Sequence, residues 1–312
     1  MSTTVKNEAL PQADVKPCTV KRLSDHQQQD AVHAAVAINP LNASLVKPVP
    51  SNGSPHPVPM MAIMQIGKRW DAQHRTFTVS FQGDKRRDLQ DRIISHMNAW
   101  NKTCGITFKH AGSGIGQVRI SFGPGGYWSY VGTDIMLVDK HEPTMNLEGF
   151  SMDISEDEYK RVVRHETGHT LGFEHEHMRK ELVSRIDPKE AYTYFWNNQG
   201  WDRATVDAQV LTPLDQTSTM GTPPDDTSIM CYQLPGEIMK DGVGIPGGKD
   251  INPTDYAFAG RMYPKTAAKA ATPPGTRGIA QPAAMAGPAG PGVNGQHFSM
   301  DLLDEFNQAT LI

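Results

Sequence analysis

The sequence of 312 residues predicts an α+β domain of two subdomains, set between flanks of different composition. Three observations lead there. Short apolar runs of strand length share the stretch from Trp70 to Asp139 with one long helical stripe. A second helix-period segment opens at Ser155 and carries two histidines four residues apart. Beyond that helix the periodicities fade, so the C-terminal subdomain reads as largely irregular.

Residues 1–60 are polar and spotted with proline. Within them the spacing of Ala31, Val32, Ala35 and Val36 predicts a helix from about Ser24 to Ile38, ended by Asn39-Pro40. The extension reads either as a propeptide covering a cleft or as an arm that is disordered or docked elsewhere. The domain proper spans 61–264. Thr76 to Phe81 alternates as a strand. Asp84 then caps a helix whose buried stripe is Leu89, Ile93, Met97 and Trp100. Ile106–His110 and Gln117–Phe122 read as strands, Gly123–Gly126 as a turn, and Asp134–Asp139 as a further strand. The aromatic run Ala191–Trp201 is expected beneath the lower wall of a cleft. Residues 265–297 are rich in Ala, Pro and Gly and read as a flexible linker. In 298–312, Phe298, Leu302, Leu303 and Phe306 fall on helical spacing, which suits a short helix that docks a partner or packs back on its own domain.

The chemistry is concentrated between His165 and His177, HETGHTLGFEHEH. On a helix, His165 and His169 project from one face a turn apart. Glu166 sits beside the first of them. Gly172 permits the backbone turn that ends the helix and brings His175 back. Three neutral imidazoles leave the fourth position of a tetrahedral zinc open, the catalytic rather than the structural arrangement. One Zn²⁺ per chain is expected. The pattern H-E-x-x-H-x-x-G-x-x-H is the metzincin signature. Ser155 and Glu158 make an S-x-x-E capping box, and Tyr159, Val162 and Val163 supply the buried stripe of this helix. Downstream, Ser228–Tyr232 reads SIMCY, in which Met230 is the candidate methionine of the turn beneath the metal.

HETGHTLGFEHEHMR, SIMCY and NPTDYAFAGRMY together resemble the astacin family of metzincins, over roughly residues 61–264. The resemblance implies a zinc endopeptidase with a twisted, mainly parallel N-terminal sheet, an antiparallel edge strand and two long helices. It implies that Tyr232 is a switchable zinc ligand that stabilises the oxyanion, and that Glu176 pairs with an N-terminus freed by cleavage. It implies that the strand at Asp134–Asp139 lines the cleft and pairs antiparallel with an extended substrate. The mechanism expected is hydrolysis of internal peptide bonds of extended polypeptides by a zinc-activated water, with Glu166 as general base and then acid. Two departures stand out. The three cysteines, Cys18, Cys104 and Cys231, cannot form the family's two disulfides. The FQGD at Phe81–Asp84 resembles the motif by which the family's propeptides place an aspartate on zinc, yet it lies inside the domain, where Asp84 is better explained as a helix cap. Cys18 is either a thiolate that caps the zinc in a latent form or an uninvolved thiol.

A net charge of −4, from 30 basic and 34 acidic residues, gives no electrostatic case for nucleic acid. No stretch is long and apolar enough to span a membrane. The N-terminus shows no apolar signal region, so the expectation is a cytoplasmic protein or one exported by a non-standard route. Two other readings compete with the peptidase, a hydrolase of non-peptide amides and a non-catalytic zinc module. The intact Glu166 argues against the module, and the methionine turn with a cleft-edge strand argues for extended peptide.

Overall fold

The computed structural model describes residues 18–45, 67–71, 75–83, 86–214 and 223–265. The expected linker at 265–297 apart from its first residue, Lys265, the tail at 298–312 and Asp84 lie outside them.

Six strands form one sheet: β1 (Cys18–Lys21), β2 (Arg75–Phe81), β3 (Ile106–His110), β4 (Val118–Ser121), β5 (Tyr127–Tyr130) and β6 (Met145–Leu147), in the spatial order β1-β5-β6-β4-β2-β3. The pairs β6–β4, β4–β2 and β2–β3 are parallel, while β5 runs antiparallel to β6. This is the mainly parallel sheet with an antiparallel strand at the catalytic domain's edge that the sequence implied. That edge is covered, because β1 pairs with β5 in parallel, Cys18 opposite Tyr127 and Val20 opposite Ser129.

Helix α1 (Asp25–Ile38) begins behind Ser24 and stops at Asn39, as its apolar spacing predicts. It packs on the domain through amides. Asn42, fully buried, donates to the carbonyls of Ala35 (2.7 Å) and Arg69 (2.9 Å). Asn39 donates to Trp70 O at 2.8 Å, and Gln27 reaches Leu137 O at 3.1 Å. Helix α2 (Arg87–Met97) buries Leu89, Ile93 and Met97, and Trp100 continues the stripe into a 3₁₀ turn. Its start is later than expected. Arg86, not Asp84, stands at the cap, without a side-chain bond.

The segment Asp134–Asp139 is not a strand. Gly132–Met136 forms a 3₁₀ turn instead, because Asp134 turns inward, buried against Lys68. Val131 to Ile135 are buried without a break, so the segment lacks the in–out alternation of a half-exposed strand. The outermost strand of the sheet beneath β1 is β5, a short strand directly after the glycine turn.

The helix that carries His165 and His169 is continuous from α3 (Glu156–Glu158) through a π turn (Tyr159–Val163) to α4 (Arg164–Thr170). Ser155 accepts the Glu158 N–H at 3.2 Å, while Glu158's carboxylate holds Arg161 at 2.6 and 2.8 Å. Beyond it come α5 (Lys180–Val183), α6 (Pro188–Gln199), α7 (Arg203–Val206), a second π turn (Asp207–Leu211) and α8 (Pro253–Met262), joined by long loops. Two cores result. One, around Trp70, Phe77, Ile93, Trp100 and Tyr159, fills the space under the sheet. The other, around Ile186, Phe195, Val206 and Ile238, belongs to the C-terminal half and takes in Cys18 from the arm. No helix among the described residues is long and apolar enough to cross a membrane.

Replacing Asn42 with Ala removes its bonds to the Ala35 and Arg69 carbonyls and the one it accepts from Arg69 N–H at 3.2 Å, while Ala35 O keeps the Asn39 N–H, a loss of about 1–3 kcal/mol. The expected outcome is faster amide exchange across α1 with β2–β4 unchanged. Equal protection in the variant would show that the amide does not hold the arm.

Candidate metal centre

The helical turn separating His165 from His169, and the turn at Gly172, converge three imidazoles. Their Nε2 atoms lie 3.1 Å (His165–His169), 3.1 Å (His169–His175) and 3.2 Å (His165–His175) apart. A tetrahedral ion about 2.0–2.1 Å from each nitrogen requires an edge of about 3.3 Å, so the three atoms already form one face of a zinc site. Gly172 makes this possible, with φ +93° as the chain leaves α4. Both helical imidazoles are aimed by carbonyls. His165 Nδ1 donates to Ile229 O at 2.6 Å and His169 Nδ1 to Phe173 O at 2.7 Å. Such bonds fix the tautomer that leaves Nε2 free for a metal.

Cys18 completes the set. Its thiol lies with the three imidazoles in one buried group whose ligand atoms are all within 4.8 Å of one another. The strand that carries it is the one laid on β5.

Burial sets the protonation states. It pushes His165 and His175 well below the usual histidine range and His169 to about 4, so all three are neutral bases at pH 7. It raises Glu166 to about 8, and raises the Cys18 thiol well above its ordinary value, helped by the nearby Glu166. Both Glu166 oxygens, the Tyr232 hydroxyl and His175 Nδ1 are buried without a hydrogen-bond partner among the described residues. A dication between the imidazoles favours the carboxylate and the thiolate. The donor set and these orphaned atoms therefore fit zinc.

Around the centre, Tyr232 stacks on His177 (4.1 Å between centroids, 17° between planes) and lies 4.3 Å from the His175 ring. His177 is locked by two bonds, accepting Tyr232 N–H at 3.4 Å and donating to Gln209 O at 2.9 Å. Glu176 contacts Arg179 and accepts the Asp225 N–H at 3.1 Å, with burial raising it to about 7. Met230 sits under α4. A β-carbon built on Gly168 would overlap its sulfur, so any larger residue there forces the Met230 side chain to move. A cleft of about 700 Å³ opens beside the centre, lined among others by Arg161, Tyr194, Phe195 and Lys249. Tyr194 and Phe195 belong to the aromatic run expected there.

All eight residues that the sequence assigned to the site, His165, Glu166, His169, Gly172, His175, Glu176, Met230 and Tyr232, meet at this centre. Sequence reasoning overlooked Gly168 and Asp255. Asp255 is buried and ties down the methionine turn, accepting from Ser228 Oγ (2.6 Å) and Ile229 N (2.9 Å). The N-P-T-D capping box at Asn252–Asp255 is the signal that could have found it, since its carboxylate also accepts Asn252 N–H at 3.0 Å. A glycine between the two helical histidines was the signal for Gly168.

Two outcomes follow. Gly168→Ala displaces Met230 and, with it, the Ile229 carbonyl that aims His165. Zinc affinity should fall about 10–100-fold, read by competition with a chelating dye; an unchanged affinity would mean that the turn does not set the ligand geometry. In metal-stripped protein, Glu166 is protonated when folded up to about pH 8 but ionises above about pH 4.5 when unfolded. The folded state then binds the extra proton, so wild-type stability falls as pH rises between those values. Glu166→Gln has no such proton. Its unfolding free energy in urea, relative to wild type, should rise between pH 5 and pH 8 by up to a few kcal/mol, and a pH-independent difference would contradict the burial.

Comparison with known proteins agrees with this geometry. The peptidase family described as Astacin matches residues 62–237. The chain is 32% identical over 118 residues to Zinc metalloproteinase nas-27 of Caenorhabditis elegans, which covers 38% of this chain and 24% of that protein. The chain thus matches about a quarter of that relative's length. A structure of myroilysin superposes with a TM-score of 0.60 at 28% identity, covering 63% of this chain and 96% of that one. A crystal structure of myroilysin gives 0.50 at 24% identity over 82% and 97%, which supports the fold. With the family pattern extending over more than half of the chain, this protein belongs to the astacin family.

Proposed function

We propose that the protein is a zinc-dependent endopeptidase that cleaves internal bonds of extended polypeptides, seen here in a latent state held by Cys18. The observation that carries this reading is the convergence of three neutral imidazoles, a buried carboxylate at Glu166 and the Cys18 thiol on one point. Three imidazoles with Glu166 alongside suit hydrolysis. Cys18 as a fourth protein ligand closes the coordination that catalysis needs open.

When bound, zinc polarises the scissile carbonyl and lowers the pKa of water from about 15.7 to about 7. Glu166 takes the proton of the attacking water and delivers it to the leaving amine, one carboxylate serving both transfers. The Tyr232 hydroxyl, held by its stack on His177, donates to the carbonyl oxygen as charge develops there. The edge of β5 pairs with the main chain of an extended peptide, which favours protein substrates over small amides.

The arm uses the same edge in the opposite sense. A substrate expected to run antiparallel to β5 presents its carbonyl to Glu166, whereas β1 runs parallel to β5. The arm thus occupies the cleft without offering a bond in the productive direction. In this reading, residues 1–60 act as a propeptide and Cys18 is its metal-blocking residue.

The test is casein hydrolysis by the zinc-loaded full chain. Glu166→Gln should keep stoichiometric zinc and lose about 10²–10⁴ in rate; a fully active variant would sink the mechanism. Cys18→Ala should cleave several times faster than wild type, and equal rates would remove the latent half of the proposal.

A further inference from the structure

On the edge of the arm away from β5 stands one residue that the mechanism does not use. Gln209 lies in the π turn Asp207–Leu211, and π turns inside helices gather at functional positions. Its side-chain oxygen accepts the Val20 N–H at 3.0 Å, and its side-chain nitrogen donates to the Val20 carbonyl at 3.3 Å. Within a strand, a residue's N–H and C=O point to one side and its neighbours' to the other. Val20 therefore turns both groups away from β5, and Thr19 and Lys21 turn theirs toward it. A single carboxamide takes the place of a third strand.

Gln209 is also fixed relative to the metal. Its backbone carbonyl accepts from His177, whose ring stacks on Tyr232 and lies 4.9 Å from the His175 ring. Position 20 lies two residues along the strand from Cys18, about 6–7 Å along the cleft.

From this we infer that Gln209 is a main-chain clamp of the cleft, gripping one residue of whatever extended chain lies on β5: Val20 of the arm first, and substrate once the arm has left. The inference rests on the proteolytic reading above. A carboxamide carries the donor and acceptor of a peptide group, and rotation about its last bond exchanges them. It thus fits a chain of either direction and makes no demand on the side chain. A substrate running opposite to β1 places in the clamp a residue about two positions before the bond that reaches Glu166.

The experiment uses the zinc-loaded full chain, wild type, Gln209→Leu and Gln209→Glu, before and after limited nicking with trypsin. Two fluorogenic peptide series share the residues after the cut; one carries four residues before it, the other one. In Gln209→Leu the ratio of kcat/KM on long against short peptides should fall roughly tenfold, through KM rather than kcat, as expected for loss of two main-chain hydrogen bonds. Gln209→Glu, which keeps only the acceptor, should fall between. Before nicking, Cys18 in Gln209→Leu should react with a disulfide reagent several times faster, with the site assigned by mass spectrometry. An equal loss on long and short peptides marks a structural role and overturns the clamp, as does an unchanged KM on long ones. A wild type silent on casein in every state overturns the proteolytic reading and the substrate half of the clamp, and the thiol rates still decide whether Gln209 grips the arm.

Discussion

The active centre depends on one close approach, that of the Ser228–Tyr232 turn to the helix carrying His165 and His169. It happens at Gly168, where the sulfur of Met230 occupies the space a side chain would fill. Because the turn seats there, the Ile229 carbonyl reaches His165 and the Met230 carbonyl receives the N–H of Glu176. One contact thus orients a helical ligand and anchors the segment that follows His175. Asp255 holds the turn from behind through Ser228 and Ile229, so α8 is part of the same support although it never nears the metal. A metal site needs its ligands held within a few tenths of an ångström, and packing against a bare backbone achieves this more rigidly than side chain against side chain.

Much of this was legible in the sequence, because the ligands are local. Two helical histidines four positions apart, a glycine and a third histidine fix most of the geometry by helix periodicity alone. The α1 boundaries were equally plain, with Ser24 at one end and Asn39-Pro40 at the other. What sequence could not place depends on long-range partners. Asp134 read as part of a strand because nothing nearby announces Lys68, whose ammonium draws it inward. The true edge strand, Tyr127–Tyr130, is too short for periodicity to separate from the glycine turn before it. Cys18 is far from His165 in sequence, and only the parallel pairing of β1 with β5, which sequence does not announce, brings its thiol beside the imidazoles.

The electrostatics of the centre run against burial without a metal. Neutral imidazoles are at ease there, whereas a carboxylate and a thiolate are not, which is why Glu166 and Cys18 are both pushed toward their protonated forms. A divalent ion reverses the balance for both at once. Glu166 and Cys18 thus respond to a metal in the same direction, and on the latent reading proposed above the thiolate holds the position that the water activated by Glu166 needs.

The parallel pairing of β1 with β5 also bears on the protein's life before any metal arrives. A sheet edge that ends in unpaired N–H and C=O groups is a template for another copy of the same chain. Residues 18–21 precede the rest of the sheet in the sequence, so the cover for that edge is made before the edge itself. On the latent reading proposed above, the arm is a companion for folding as well as a lock, covering β5 against its sister molecules until a substrate strand takes the place.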